Sequence, residues 1–183
     1  MRKIVLTFGF LAGAVLSGIM LLTLPFHKEI GFDRGYIIGY TSMVLAFLMV
    51  FFGVRSYRDN VAGGTVSFGR ALKVGTLITL LASACYVATW EVIYYKFTPD
   101  FMEQYSAYTL DKAQKNGATE AELAAQRQKM AEFTELYHNP LVNIGMTLLE
   151  PLPVGLVFTL LAAGVLSRKR QPEGGPLQSG AAS

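Results

Sequence analysis

Cysteine is nearly absent. Cys85 is the sole thiol, so no disulfide can close within the chain and no cysteine-based metal or redox motif can form. Lying inside an apolar run, it reads as a small packing residue. Charge is scarce as well: 16% of residues are charged against 52% hydrophobic, a balance too apolar for an ordinary soluble domain. The net charge of +3 is modest, and no nucleic-acid partner is expected. The two histidines, His27 and His138, lack metal-ligand spacing even with Glu29, Asp33 and Glu135 in the sequence around them, so no metal site or cofactor is expected. Walker, HExxH, GxSxG and nucleotide-binding fingerprints are all missing, and we expect no enzyme.

What is present in excess is long apolar sequence. Four runs, Ile4–Leu24, Gly35–Val54, Ala71–Tyr95 and Leu141–Leu166, approach or exceed the ~18 residues needed to cross about 30 Å of hydrocarbon. None alternates with period two, so they read as helices and not as barrel strands. The expected fold is all-α: an integral membrane four-helix bundle over residues 1–170, with spans about 4–24, 35–54, 71–95 and 141–166. The Ala12-Gly13-Ala14 stretch behind Arg2 and Lys3 mimics a signal cleavage site. The uncharged residues Val15–Leu24 that follow argue for an uncleaved first span.

Basic residues set the orientation. Arg2, Lys3, Arg55, Arg58, Arg70, Lys73, Arg168, Lys169 and Arg170 fall on one side, while Lys28 and Arg34 across the membrane are offset by Glu29 and Asp33. The positive-inside rule then puts both termini in the cytoplasm. The segment between spans three and four, residues 98–138, is expected outside the membrane as a helical hairpin. Thr98 would cap its first helix with Pro99 at the first position, Gly117 would stop it, and Thr119 and Glu122 would form a capping box for the second. Phe101, Tyr105 and Tyr108 stripe the first helix; Leu123, Met130, Phe133 and Tyr137 stripe the second. Residues 171–183, rich in Gly, Pro, Ser and Gln, read as a disordered tail.

Small residues recur every four positions: Gly9, Gly13 and Ser17 in span one, Gly35 and Gly39 in span two, Gly155, Thr159 and Ala163 in span four. That spacing lets helices approach closely in lipid. Two readings are open, packing within one bundle or homo-oligomerisation through span one. Tyr36, Trp90, Tyr94, Tyr95 and Phe97 suggest an outer aromatic belt and Tyr57 an inner one.

Two clusters carry candidate chemistry. Glu91 and Glu150 are intramembrane carboxyl groups at similar expected depth, and such groups are costly enough to be functional candidates. Pro151 and Pro153 remove the donors for the carbonyls of Thr147 and Leu149, so Glu150 and the freed oxygens are expected to face the bundle interior, where they could hold a proton, a cation or water. The competing reading is a structural kink, with Pro151 opening a new helical segment and Glu91 snorkelling to water. On the inner side, Arg55, Arg58, Arg70 and Lys73 could clamp an anionic lipid head group or phosphate, or simply anchor the chain with Asp59 paired to an arginine.

The stretches "GVRSYRDN", "GGTVSFGRALKVG" and "EPLPVGL" together resemble the bacterial membrane protein family known as domain of unknown function 4199. They contribute Arg55, Tyr57, Arg58, Asp59, Gly64, Phe68, Gly69, Lys73, Gly75, Glu150, Pro151, Pro153 and Gly155. The resemblance implies a small multi-pass protein of the bacterial inner membrane and brings no catalytic residues with it. The expected function is a non-enzymatic bundle that binds a partner, lipid or ion. The alternative is a small proton- or cation-coupled transporter using Glu91 and Glu150. Membrane lipid and further copies of the chain are the partners expected.

Overall fold

The computed structural model describes residues 1–167, so the tail expected at 171–183 and the basic residues 168–170 lie outside the described residues. Among the described residues there are seven α-helices and no strand. They are α1 (Arg2–Thr23), α2 (His27–Asn60), α3 (Phe68–Lys96), α4 (Phe101–Lys115), α5 (Glu120–Tyr137), α6 (Pro140–Leu149) and α7 (Pro151–Leu166). Three stretches of helix are long and apolar enough to cross a membrane by length and composition: Arg2–Asn60, Phe68–Lys96 and Pro140–Leu166. Such helices suggest a membrane protein.

The segment expected as a first outer loop is helical instead. A 3-10 turn over Leu24–Phe26, opened by Pro25, joins α1 to α2. Helix α2 starts at His27 and bends at Gly31, whose φ of 68° and ψ of 171° only glycine adopts readily. At the far end, Arg55 and Arg58 belong to the last turns of α2, not to a loop. The connection to α3 is short, and Gly63 and Gly64 turn it with φ of 69° and 87°.

Helix α1 packs on α2 and α3, α3 on α7 and α2, and α2 on α7. Phe47, Leu16, Ile78, Val50 and Val74 fill the centre. Glycines set the spacing. A Cβ on Gly9 would lie 2.6 Å from Leu81, and one on Gly13 would lie 2.7 Å from Cys85. Thr89 donates to Ser17 at 2.7 Å in the next turn. The Gly9/Gly13/Ser17 stripe is therefore used within the chain, against α3. The same holds for Gly75, whose Cβ would meet Thr159 at 2.8 Å, and for Gly155, which has no room beside Thr79 and Phe47. Thr79 Oγ1 lies 3.3 Å from the Gly155 carbonyl oxygen and 3.1 Å from Thr159 Oγ1, so the close approach carries hydrogen bonds. Gly35 and Gly39 depart from the expected packing: no atom lies within 4 Å of a Cβ built there. They fall where α2 stands exposed.

Helices α4 and α5 pack together. The Thr119–Glu122 capping box is present, and the Thr119 backbone N–H holds the Glu122 carboxyl below its usual range. The expected Thr98 cap is not. Helix α4 begins at Phe101 behind Asp100, while Thr98 is buried and donates to the Ile93 carbonyl, closing the end of α3. The expected aromatic belt is only partly one. Trp90 and Tyr94 pack instead with Tyr137, Met102, Phe101 and Tyr105, a second core that seats α4 and α5 on α3. Tyr57 is likewise buried in the main core. Phe32, just past the bend at Gly31, sits 4.9 to 5.8 Å from the rings of Tyr108, Tyr105 and Phe101, so α4 is also tied to α2. Asp33 accepts from Tyr108 and Lys112, which holds the Lys112 ammonium above its usual range.

Overpacking a tight glycine contact costs about 1–3 kcal/mol. Gly155→Val should therefore lower the thermal unfolding temperature of the detergent-solubilised protein clearly, while Gly35→Ala should leave it unchanged. Phe32→Ala should speed protease cleavage in the α4–α5 turn more than Lys112→Ala does, because an exposed ion pair contributes little beside a packed ring.

Candidate functional site

The site is built on the junction between α6 and α7. Asn139 caps α6, its side chain accepting from the Leu141 N–H at 3.0 Å, with Pro140 at the first position. The helix stops at Leu149 because Pro151 has no N–H to give the Thr147 carbonyl, and Pro153 likewise leaves Leu149 without one. Glu150 keeps helical dihedrals, φ −72° and ψ −56°, so the interruption is one of hydrogen bonding. Pro151 is fully buried and Pro153 exposed.

Glu150 itself is exposed, which corrects the expectation that the prolines turn it toward the bundle interior. Pro151 occupies the inward position, and the ~100° per residue of a helix carries its neighbour round to the outside. There the Tyr86 hydroxyl of α3 donates to Glu150 Oε2 at 2.7 Å. Tyr36 of α2 and Tyr137 of α5 lie within electrostatic reach of the carboxyl group, and Tyr40 of α2 within reach of Tyr86. Tyr36 also lies 3.5 Å, hydroxyl to hydroxyl, from Tyr105 of α4. The result is one carboxyl group among tyrosines, open to the side of the molecule, with Tyr36 and Tyr40 each about half exposed at 49% and 52%.

Behind it runs a buried polar chain. Trp90 Nε1 donates to Tyr137 OH at 3.0 Å, Tyr137 OH lies 3.5 Å from Thr147 Oγ1, and Thr147 donates to Asn143 Oδ1 at 3.2 Å. Asn143 is completely buried. Of these, only Thr147 was expected from the sequence. Asn143 was missed, although a lone amide in the apolar stretch "LVNIGM" is the signal that could have found it.

Glu91 and Glu150 share no hydrogen bond. Glu91 stands beyond Tyr86 on α3 by about 7.5 Å of helix rise; it is half-buried, and among the described residues no group pairs with its covered Oε1. On the opposite end, Arg55 and Arg58 both reach Asp59, at 3.6 and 2.7 Å, while Arg70 and Lys73 are exposed on the first turns of α3. His27 Nδ1 lies 3.0 Å from the Leu24 carbonyl, and no group of three or more metal-ligating side chains occurs among the described residues.

Chemically, an exposed carboxyl group on an apolar surface can take up a proton, accept from a donor, or pair with a cation; left ionised and unpaired in hydrocarbon it costs several kcal/mol. A family model described as "Protein of unknown function (DUF4199)" matches residues 7–168. No curated protein and no solved structure matches.

Tyr86→Phe removes the one hydrogen bond to Glu150. In lipid-reconstituted protein the Glu150 carbonyl stretch, identified by its loss in Glu150→Gln, should move to the higher frequency of a free carboxyl group. Stability should fall by about 1 kcal/mol.

Proposed function

The chain belongs to the DUF4199 family of proteins of unknown function, and we propose that it is a four-span integral membrane protein that acts by binding and not by covalent chemistry. In this reading α1, α2 beyond its bend, α3, and α6 with α7 are the crossings of a bacterial inner membrane. Helices α4 and α5 form a hairpin on the outer side, and both termini are cytoplasmic. The binding group is Glu150. It takes a cationic or hydrogen-bond-donating group presented from within the membrane by a lipid-like or protein partner.

One observation carries this: Tyr86 OH donates to Glu150 Oε2 at 2.7 Å on the exposed flank of an apolar helix pair. Tyr86 holds one oxygen and orients the carboxyl group, leaving the other oxygen for a guest. The lateral opening favours a guest arriving through the bilayer, since a carboxylate facing hydrocarbon is stable only when protonated or covered. A second reading, a proton- or cation-coupled transporter, is favoured by the Thr147 and Leu149 carbonyls, to which Pro151 and Pro153 offer no N–H, and by Glu91 farther along α3.

Infrared spectra of the lipid-reconstituted protein, with Glu150→Gln as the blank, separate the two. The binding reading predicts a neutral carboxyl band at pH 7 that dodecanol shifts without ionising it and that dodecylamine converts to carboxylate, while sodium and potassium leave it in place. Conversion by sodium or potassium, with ion or proton flux into liposomes that Glu150→Gln abolishes, would establish the transporter instead. A band indifferent to all of these would reduce Glu150 to a structural hydrogen bond and overturn both readings.

A further inference from the structure

The hairpin of α4 and α5 is used on one side only. Phe101, Tyr105, Phe133 and Tyr137 join the aromatic core that seats it on α3. Between the same two helices lies an open groove of about 660 Å³, with Ala107 and Leu110 of α4 and Ala131 and Thr134 of α5 along its floor. Ala107 and Ala131 are exposed, so this floor of small side chains is accessible from outside.

The groove walls carry charge of both signs. Arg127 and Glu135 of α5 line it together with Glu103 of α4. Arg127, Ala131 and Glu135 are four residues apart, so they stand in one row at about 6 Å per step, with alanine midway between cation and anion. A short turn joins α4 to α5, so the start of α4 lies beside the end of α5 and brings Glu103 to the Glu135 end. Among the described residues, none of Glu103, Arg127 and Glu135 makes an ion pair.

Such a row is its own complement. A two-fold axis crossing α5 at Ala131 sets Arg127 of each copy against Glu135 and Glu103 of the other, and leaves only alanine where the two α5 backbones come nearest. Two copies sharing one membrane can meet this way. Helix α4 touches Trp90 of α3 through Phe101 and Asp33 of α2 through Lys112, so the hairpin runs across the bundle from α3 to α2. An axis along the bundle then reverses α5 against its copy.

We propose that the α4–α5 groove is a self-association surface, occupied by the same groove of a second copy of this chain about a two-fold axis at Ala131. A second copy is favoured over a foreign helix because each charged end finds its opposite on the same surface. The small-residue stripe of α1 is already filled by α3, which leaves the hairpin to carry this contact. The shared orientation of the copies rests on the four-span reading, and no role of Glu150 enters.

Oxidative cross-linking of the lipid-reconstituted protein tests it, in a Cys85→Ser background that removes the one native thiol. Ala131→Cys should yield a disulfide-linked dimer, and Lys129→Cys, on the opposite side of α5, several-fold less. Adding Arg127→Glu to Ala131→Cys should cut the dimer several-fold, and adding Glu103→Arg and Glu135→Arg to both should restore it. Glu150→Gln should leave the yield unchanged. Equal yields from Ala131→Cys and Lys129→Cys, or a yield indifferent to Arg127→Glu, would overturn the proposal. So would an Ala131→Cys thiol that neither cross-links nor reacts with a maleimide, since another partner would then fill the groove.

Discussion

The close approach of α3 to α7 is the constraint on which the rest depends. Gly75 and Gly155 let Thr159 and Thr79 sit where a side chain would otherwise stand; the two threonines bond to each other, and Thr79 also bonds to the Gly155 carbonyl. Between helices in lipid there is no hydrophobic gain to pull surfaces together, so van der Waals contact and interhelical hydrogen bonds must do it. That contact sets the height of α7 on α3. The height in turn puts Tyr86 beside Glu150. Gly9 and Gly13 do the same for α1 against the other side of α3, so that α3 holds both α1 and α7 at close range.

The proline pair has a local consequence and a chemical one. Locally, Pro151 divides one apolar stretch into α6 and α7 without turning Glu150 out of helical conformation. Chemically, the prolines withdraw the helical N–H donors from the Thr147 and Leu149 carbonyls, on a helix whose inner face already carries Asn143 and Thr147. Polar groups thus concentrate where α3 and α6 run beyond Tyr86 and Glu150, while Phe47, Val50, Val74 and Ala162 are fully buried in the rest of the bundle. A membrane helix keeps such an asymmetry only where the polar side meets hydrogen-bond partners, water or a guest.

The helices were legible because length and apolarity decide them. The family resemblance was legible in "GVRSYRDN" and "EPLPVGL", since both sit at element ends where backbone geometry restricts the choice of residue. Boundaries were harder. Thr98 looks like a helix cap, but its hydroxyl donates to the Ile93 carbonyl, where the Phe97 and Thr98 N–H groups also close the end of α3. Trp90 and Tyr94 look like interfacial anchors until α4 and α5 cover them, a tertiary fact no periodicity contains. Glycine spacing was right for Gly9, Gly13 and Gly155 and misleading for Gly35 and Gly39, because the motif says that a helix can be approached and not that another is there. Glu150 was found as a residue and misplaced as a direction: the side of a helix on which it falls depends on which neighbour, here Pro151, takes the buried position.

The central claim is that the glycine contact between α3 and α7 delivers Tyr86 to Glu150. Its most direct test is a cycle of Gly155→Ala and Tyr86→Phe read at the Glu150 carbonyl stretch in lipid, on variants that retain full helicity. If the contact sets the register, Gly155→Ala alone moves the band to the free-carboxyl position and Tyr86→Phe adds nothing further. A Glu150 band untouched by Gly155→Ala, with Tyr86→Phe still shifting it in full, would contradict the account.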